Sequence, residues 1–79
     1  MEWRYQTYTQ FTDGTAKHVL VAEAMDVNKL PDINAWCKEV LGYQPPSKAR
    51  ARNGRHFHEI AFAFSSPEDA MAFKLTWGS

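Results

Sequence analysis

Lys48, Arg50, Arg52 and Arg55 stand within eight residues that contain no acidic side chain, and His56, Phe57 and His58 follow directly. Cations at alternate positions of a strand project from one face about 7 Å apart, a spacing that can meet successive phosphates or acidic side chains. An aromatic ring beside them, Phe57 next to Arg50, adds a stacking surface. A second reading gives the same cations to solubility, as charges that keep a hairpin edge from pairing with other chains. Four cations without one acid exceed what edge protection requires, and this run is therefore the first candidate for function.

Other reactive groups carry less. His56 and His58 share one face of a strand, a spacing that suits two metal ligands, with His18 or a carboxylate as a third. Neighbouring arginines disfavour a bound cation, and a pair of histidines at a core margin explains the same pattern, so no metal and no cofactor is assigned. Cys37 falls on the apolar stripe of a helix with no activating group nearby in sequence, which makes it a packing residue rather than a nucleophile. Glu59 with Glu68 and Asp69 could be drawn as an acid and base pair, yet the latter two suit the start of a helix. There is no glycine-rich phosphate loop, nucleophile elbow or paired-histidine zinc motif. The chain reads as non-enzymatic.

The elements that would hold the basic run follow from local signals. Asn53 and Gly54 are a strong two-residue hairpin signal. Taken as the turn, they pair Arg52 with Arg55, Arg50 with Phe57 and Lys48 with Glu59. One face then carries Ala49, Ala51, His56, His58, Ile60, Phe62 and Phe64, and the other Lys48, Arg50, Arg52, Arg55, Phe57 and Glu59. Upstream, Asp13 and Gly14 predict another hairpin in which Thr12 faces Thr15, Tyr8 faces Val19 and Arg4 faces Glu23. Trp3, Tyr5, Thr7 and Phe11 would share its core face with Leu20, Ala22 and Ala24. A competing reading makes 16–28 a helix, because Ala, Glu and Met favour one.

From Pro31 to Leu41 the apolar positions Ile33, Trp36, Cys37, Val40 and Leu41 follow helical spacing, with Asp32 near the start and Gly42 as the stop. The last segment opens with Ser66 as N-cap, Pro67 at the first helical position and Glu68 and Asp69 in the first turn, and Gly78 ends it. By periodicity Trp3, Tyr5, Trp36, Phe62, Phe64, Phe73 and Trp77 belong to the core, whereas Tyr8, Tyr43 and Phe57 are exposed. The resulting fold is α+β, in the order ββαββα, with both helices on one face of an antiparallel sheet and the other face open to solvent.

Composition bounds the function. The 79 residues are 44% hydrophobic and 14% aromatic, the make-up of one globular domain spanning 1–79, with little volume for a deep catalytic cleft. No apolar run is long enough to span a membrane and no secretory signal opens the chain, which points to the cytoplasm. One cysteine excludes an internal disulfide. The nine basic and nine acidic side chains cancel, but not locally. Residues 1–47 hold four bases against six acids, 48–56 hold four bases and no acid, and 57–79 hold one base against three acids. A basic segment sits between two acidic ones, a layout that can steer a partner.

The helix carrying Ile33, Trp36 and Cys37, together with the final third from Phe62 through Ser66, Pro67 and Phe73 to Trp77 and Gly78, resembles small uncharacterised proteins encoded by T4-like tailed bacteriophages. The resemblance implies a shared fold and a phage origin, hence the host cytoplasm. It covers core residues and transfers no site. The sequence therefore predicts an accessory or host-modulating module that binds a protein with an acidic surface through Lys48, Arg50, Arg52, Arg55, Phe57 and Tyr43. The alternative is direct nucleic-acid binding by the same ribbon. Oligomeric state is not legible.

Overall fold

The computed structural model describes residues 2–7, 9–11 and 14–78. It shows an α+β fold of antiparallel strands and two helices in the expected ββαββα order. The first hairpin runs out as β1 (Arg4–Gln6) and β2 (Thr9–Phe11) and returns as β3 (Gly14–Ala16) and β4 (His18–Asp26). A short 3₁₀ turn, Val27–Lys29, leads into α1 (Leu30–Trp36), which continues as a widened turn over Cys37–Leu41. β5 (Ser47–Asn53) and β6 (His56–Phe64) form the second hairpin, and α2 (Pro67–Trp77) follows. The main sheet has the order β1-β4-β6-β5, and β2 pairs with β3 in an extension of the first hairpin. Residues 16–28 are thus mainly strand, not helix.

Both hairpins form, and both registers differ from the expected ones by two residues. Arg4 pairs with Val21 and Gln6 with Val19, in place of Arg4 with Glu23 and Tyr8 with Val19. Phe11 pairs with Gly14, so Gly14 is the first residue of the returning strand, where its φ of +136° uses glycine's freedom. The two residues between them, and the expected Thr12 pairing, lie outside the described residues, as does Tyr8. In the second hairpin Asn53 pairs with His56, so the loop residues are Gly54 and Arg55. Glycine with φ +63° takes the first loop position, where either primed turn needs a positive φ, whereas the expected loop puts it second. A slip of two changes partners without exchanging the faces of the sheet.

The faces exchange for another reason. The core side of β4 runs Leu20, Ala22 and then Met25, and that of β6 runs Phe64, Phe62, Ile60 and then Phe57. In each strand one interval is three residues instead of two. The ladders break at the row where Ala24, His58 and Ala51 would face one another, and both alanines hold left-handed backbone, φ +57° and +49°. Such a conformation costs an alanine about 1–2 kcal/mol. The three strands therefore change phase together, and side chains beyond this row sit on the opposite face from the one that simple alternation predicts.

The core gathers around Phe73 on α2. Its ring lies 4.9 Å from Trp3, 5.1 Å from Phe64, 5.3 Å from Phe62 and 5.9 Å from Trp36 by centroids. Leu20, Ala22, Met25, Ile33, Cys37, Ile60 and Ala70 complete the cluster, so both helices cover one face as expected. The other face is not wholly open. Val19, Val21 and Ala63 are buried there as a smaller cluster with Ala61. Tyr5, expected in the core, is 43% exposed on the short edge strand β1, where its hydroxyl lies 2.6 Å from His18 Nδ1. Thr7 is also exposed.

Helix ends follow the local signals. Ser66 Oγ accepts from the Asp69 amide at 3.2 Å, with Pro67 at the first helical turn. The expected helix from Pro31 to Leu41 is present, but the Gly42 amide donates to the Cys37 carbonyl, a wider closure than an α-turn. That widening turns Val40 out to 57% exposure.

Candidate interaction surface

β5 is the free edge of the main sheet opposite β1, and all of its residues are exposed. It carries Lys48, Arg50 and Arg52, and the following loop carries Arg55. The side chains of Lys48, Arg50 and Arg55 make no ion pair or hydrogen bond among the described residues. Arg52 Nε donates to the Gly54 carbonyl at 3.0 Å, which leaves the rest of its guanidinium to solvent. The loop is tied to the body by the Val27 amide, which donates to the Arg55 carbonyl at 2.7 Å.

The cations do not share one face. Arg50 pairs with Glu59, which pairs with Glu23, so this row lies on the face away from the helices. Arg52 pairs with Phe57, which pairs with Met25, and these pack on the helix side. The phase change at Ala51 separates them, a correction to the single basic face expected from alternation. Lys48 pairs with Ala61 and lies with Arg50.

Arg4 Nη2 lies 3.5 Å from both Glu23 Oε1 and Glu59 Oε2. The expected Arg4–Glu23 pair is therefore present, although diagonal rather than directly cross-strand. Glu23 and Glu59 are direct partners, a like-charge pairing that Arg4 bridges. Two shallow open depressions adjoin this row: one of about 470 Å³ is lined by Glu2, Arg4, Glu23 and Ala24. The other, of about 240 Å³, is lined by Glu23, Ala24, Asn53, His56, Phe57 and His58.

Two candidate contact residues prove to be structural. Tyr43, expected to be exposed, is half-buried: its hydroxyl donates to Asp69 Oδ2 at 2.8 Å and accepts from the Ser65 amide at 3.0 Å. It fastens the segment after α1 to the start of α2. Phe57, expected beside Arg50 on the solvent face, is half-buried against the main core. Phe57 is out of reach as a stacking ring on Arg50's face.

His56 and His58 are exposed, and His18 is engaged with Tyr5 instead of joining them. Among the described residues no group of three or more His, Cys, Asp or Glu is placed to hold a metal ion. Cys37 is fully buried, and desolvation pushes its thiol up to about 11. No helix among the described residues is long and apolar enough to cross a membrane.

Alternation alone hid the backbone of the β5 edge. The Ala63 amide donates to the Pro46 carbonyl, which makes Pro46 and Ala63 a hydrogen-bonded position of the ladder. Such positions alternate. Lys48 and Arg50 therefore direct their amides and carbonyls to β6, while Ser47 and Ala49 direct theirs to the open edge. The regular alternation of small and basic residues from Ser47 to Arg52 is the sequence signal of this arrangement. Comparison with protein-family models, curated proteins and solved structures finds no match to the chain.

Proposed function

We propose that this protein is a non-enzymatic binding module whose basic β5 edge and following loop engage an acidic surface on a partner protein. The observation that carries the reading is the exposure of Lys48 and Arg50 on one sheet edge and of Arg55 in the loop after it, with no side-chain ion pair among the described residues, in a chain whose remaining segments are acidic. Charges that a fold uses for its own stability are paired, as Arg4 is with Glu23 and Glu59. Unpaired cations on a free edge are available to a partner and steer its approach. The phage resemblance suggests a host protein as that partner, met in the host cytoplasm.

Direct nucleic-acid binding is the weaker reading. A ribbon that lies in a groove or along a strand presents its cations from one face, whereas Arg50 and Arg52 lie on opposite faces here. A pull-down from nuclease-treated host lysate, with wild type and the Arg50→Ala, Arg52→Ala double variant, separates the readings. One dominant protein, recovered by wild type and lost with the double variant, is the expected result. Recovery only of nucleic-acid-dependent material overturns the reading in favour of nucleic acid.

A further inference from the structure

We infer that the partner binds as an added strand on the free edge of β5, and that it is an extended segment with Asp or Glu at alternate positions and small apolar residues between them. This rests on the acidic-partner reading above and specifies its geometry. Strand addition needs unpaired backbone groups on an exposed edge, and Ser47 and Ala49 supply them. Directly opposed residues of neighbouring strands share a face. A segment hydrogen-bonded to Ser47 and Ala49 thus places alternate side chains beside Lys48 and Arg50, on the face away from the helices. Acidic groups there meet cations that form no ion pair among the described residues. The intervening side chains fall beside Ser47 and Ala49, whose partners Phe62 and Ile60 are core residues, and this margin suits small apolar groups.

Charge selects among the possible occupants. A second copy pairing β5 with β5 would set three cations against three, with no acid in the 48–56 run of either chain, so self-association at this edge is opposed. A nucleic acid would satisfy the cations but offers no strand-like backbone to Ser47 and Ala49. Ala51 sets the far limit. Its left-handed backbone ends regular pairing, so the addition spans Ser47 to Arg50, with Arg52 and Arg55 acting over longer range.

A fluorescent, end-blocked peptide of about seven residues that alternates glutamate and valine is the probe, titrated at low salt by anisotropy. A peptide of the same composition with its glutamates in one block serves as the comparison. Ala49→Pro removes only an outward amide, which an edge strand tolerates, and is expected to weaken the alternating peptide at least about tenfold with unchanged circular dichroism. Methylating alternate backbone nitrogens of the peptide gives the same loss with wild-type protein, so the test does not depend on the folding of the variant. Wild-type affinity for the methylated peptides, whichever nitrogens are blocked, overturns strand addition while leaving the acidic-partner reading intact. Undiminished affinity in Lys48→Ala, Arg50→Ala overturns the acidic-partner reading itself. Displacement of the peptide by oligothymidine at lower concentration than by the unlabelled peptide overturns both in favour of nucleic acid.

Discussion

The two ends of the β4–β6 ladder face opposite demands. At one end Leu20, Ala22, Ile60 and Phe62 are buried beneath two helices and the rings around Phe73. At the other, beyond the row of Ala24, His58 and Ala51, the hairpin loop carries Arg55 into solvent, and along the outer edge of the sheet β5 exposes Lys48, Arg50 and Arg52. The same β6 serves both ends, and the phase change lets Phe57 and Met25 close the core margin while Arg50 stays on the open face. The contrast teaches that stability and charge are lodged in separate places. Core residues should govern folding with little direct effect on binding, and edge cations the reverse.

The largest effect expected is at the centre of the core. Phe73→Ala removes the ring that Trp3, Trp36, Phe62 and Phe64 pack against and should cost about 3–5 kcal/mol. A domain of this length holds only about 4–12 kcal/mol in all, so urea titration should show a protein that is largely unfolded or close to it. A variant that unfolds at the wild-type midpoint would break the division of labour.

Next comes a pH effect from the same region. The Cys37 thiol titrates at about 11 in the folded protein against 9.0 for a solvated thiol, so the unfolded chain releases its proton first. Its stabilisation is complete below pH 9 and is lost as the pH rises to about 11, an amount of order 2–3 kcal/mol. Cys37→Ala should remove this component of the alkaline decline, and an identical decline in both proteins would show that the thiol is not desolvated.

Smaller still is the strain at the boundary between the two ends. Ala24→Gly and Ala51→Gly each relieve a left-handed alanine but add flexibility to the unfolded chain, so each should stabilise by up to about 1 kcal/mol. Destabilisation by either glycine, read as a lower thermal midpoint, would mean that those alanine methyls contribute packing that outweighs the strain.

What could be read in advance was what is local. The start of α2 was legible because Ser66, Pro67, Glu68 and Asp69 each act within one turn of the helix, and α1 because its apolar spacing is periodic. Both hairpins were legible from Gly14 and Gly54, but not their registers: a glycine serves as well at the first loop position, or just past the loop, as at the second. The phase change was not legible, since nothing about Ala24 or Ala51 marks a left-handed residue. Nor was the role of Tyr43, whose partner Asp69 is distant in sequence and is brought near only by packing. The basic run was legible from charge alone. Its division between two faces was not, and that division is what weighs against the nucleic-acid alternative.

The most direct test of the central claim measures stability and binding on one variant. Arg50→Ala, Arg52→Ala is expected to unfold in urea within about 0.5 kcal/mol of wild type, as exposed charges do, and to lose affinity for the alternating acidic peptide. A variant that keeps its affinity, or whose stability falls by as much as a core substitution costs, would contradict the separation of a binding edge from a folding core.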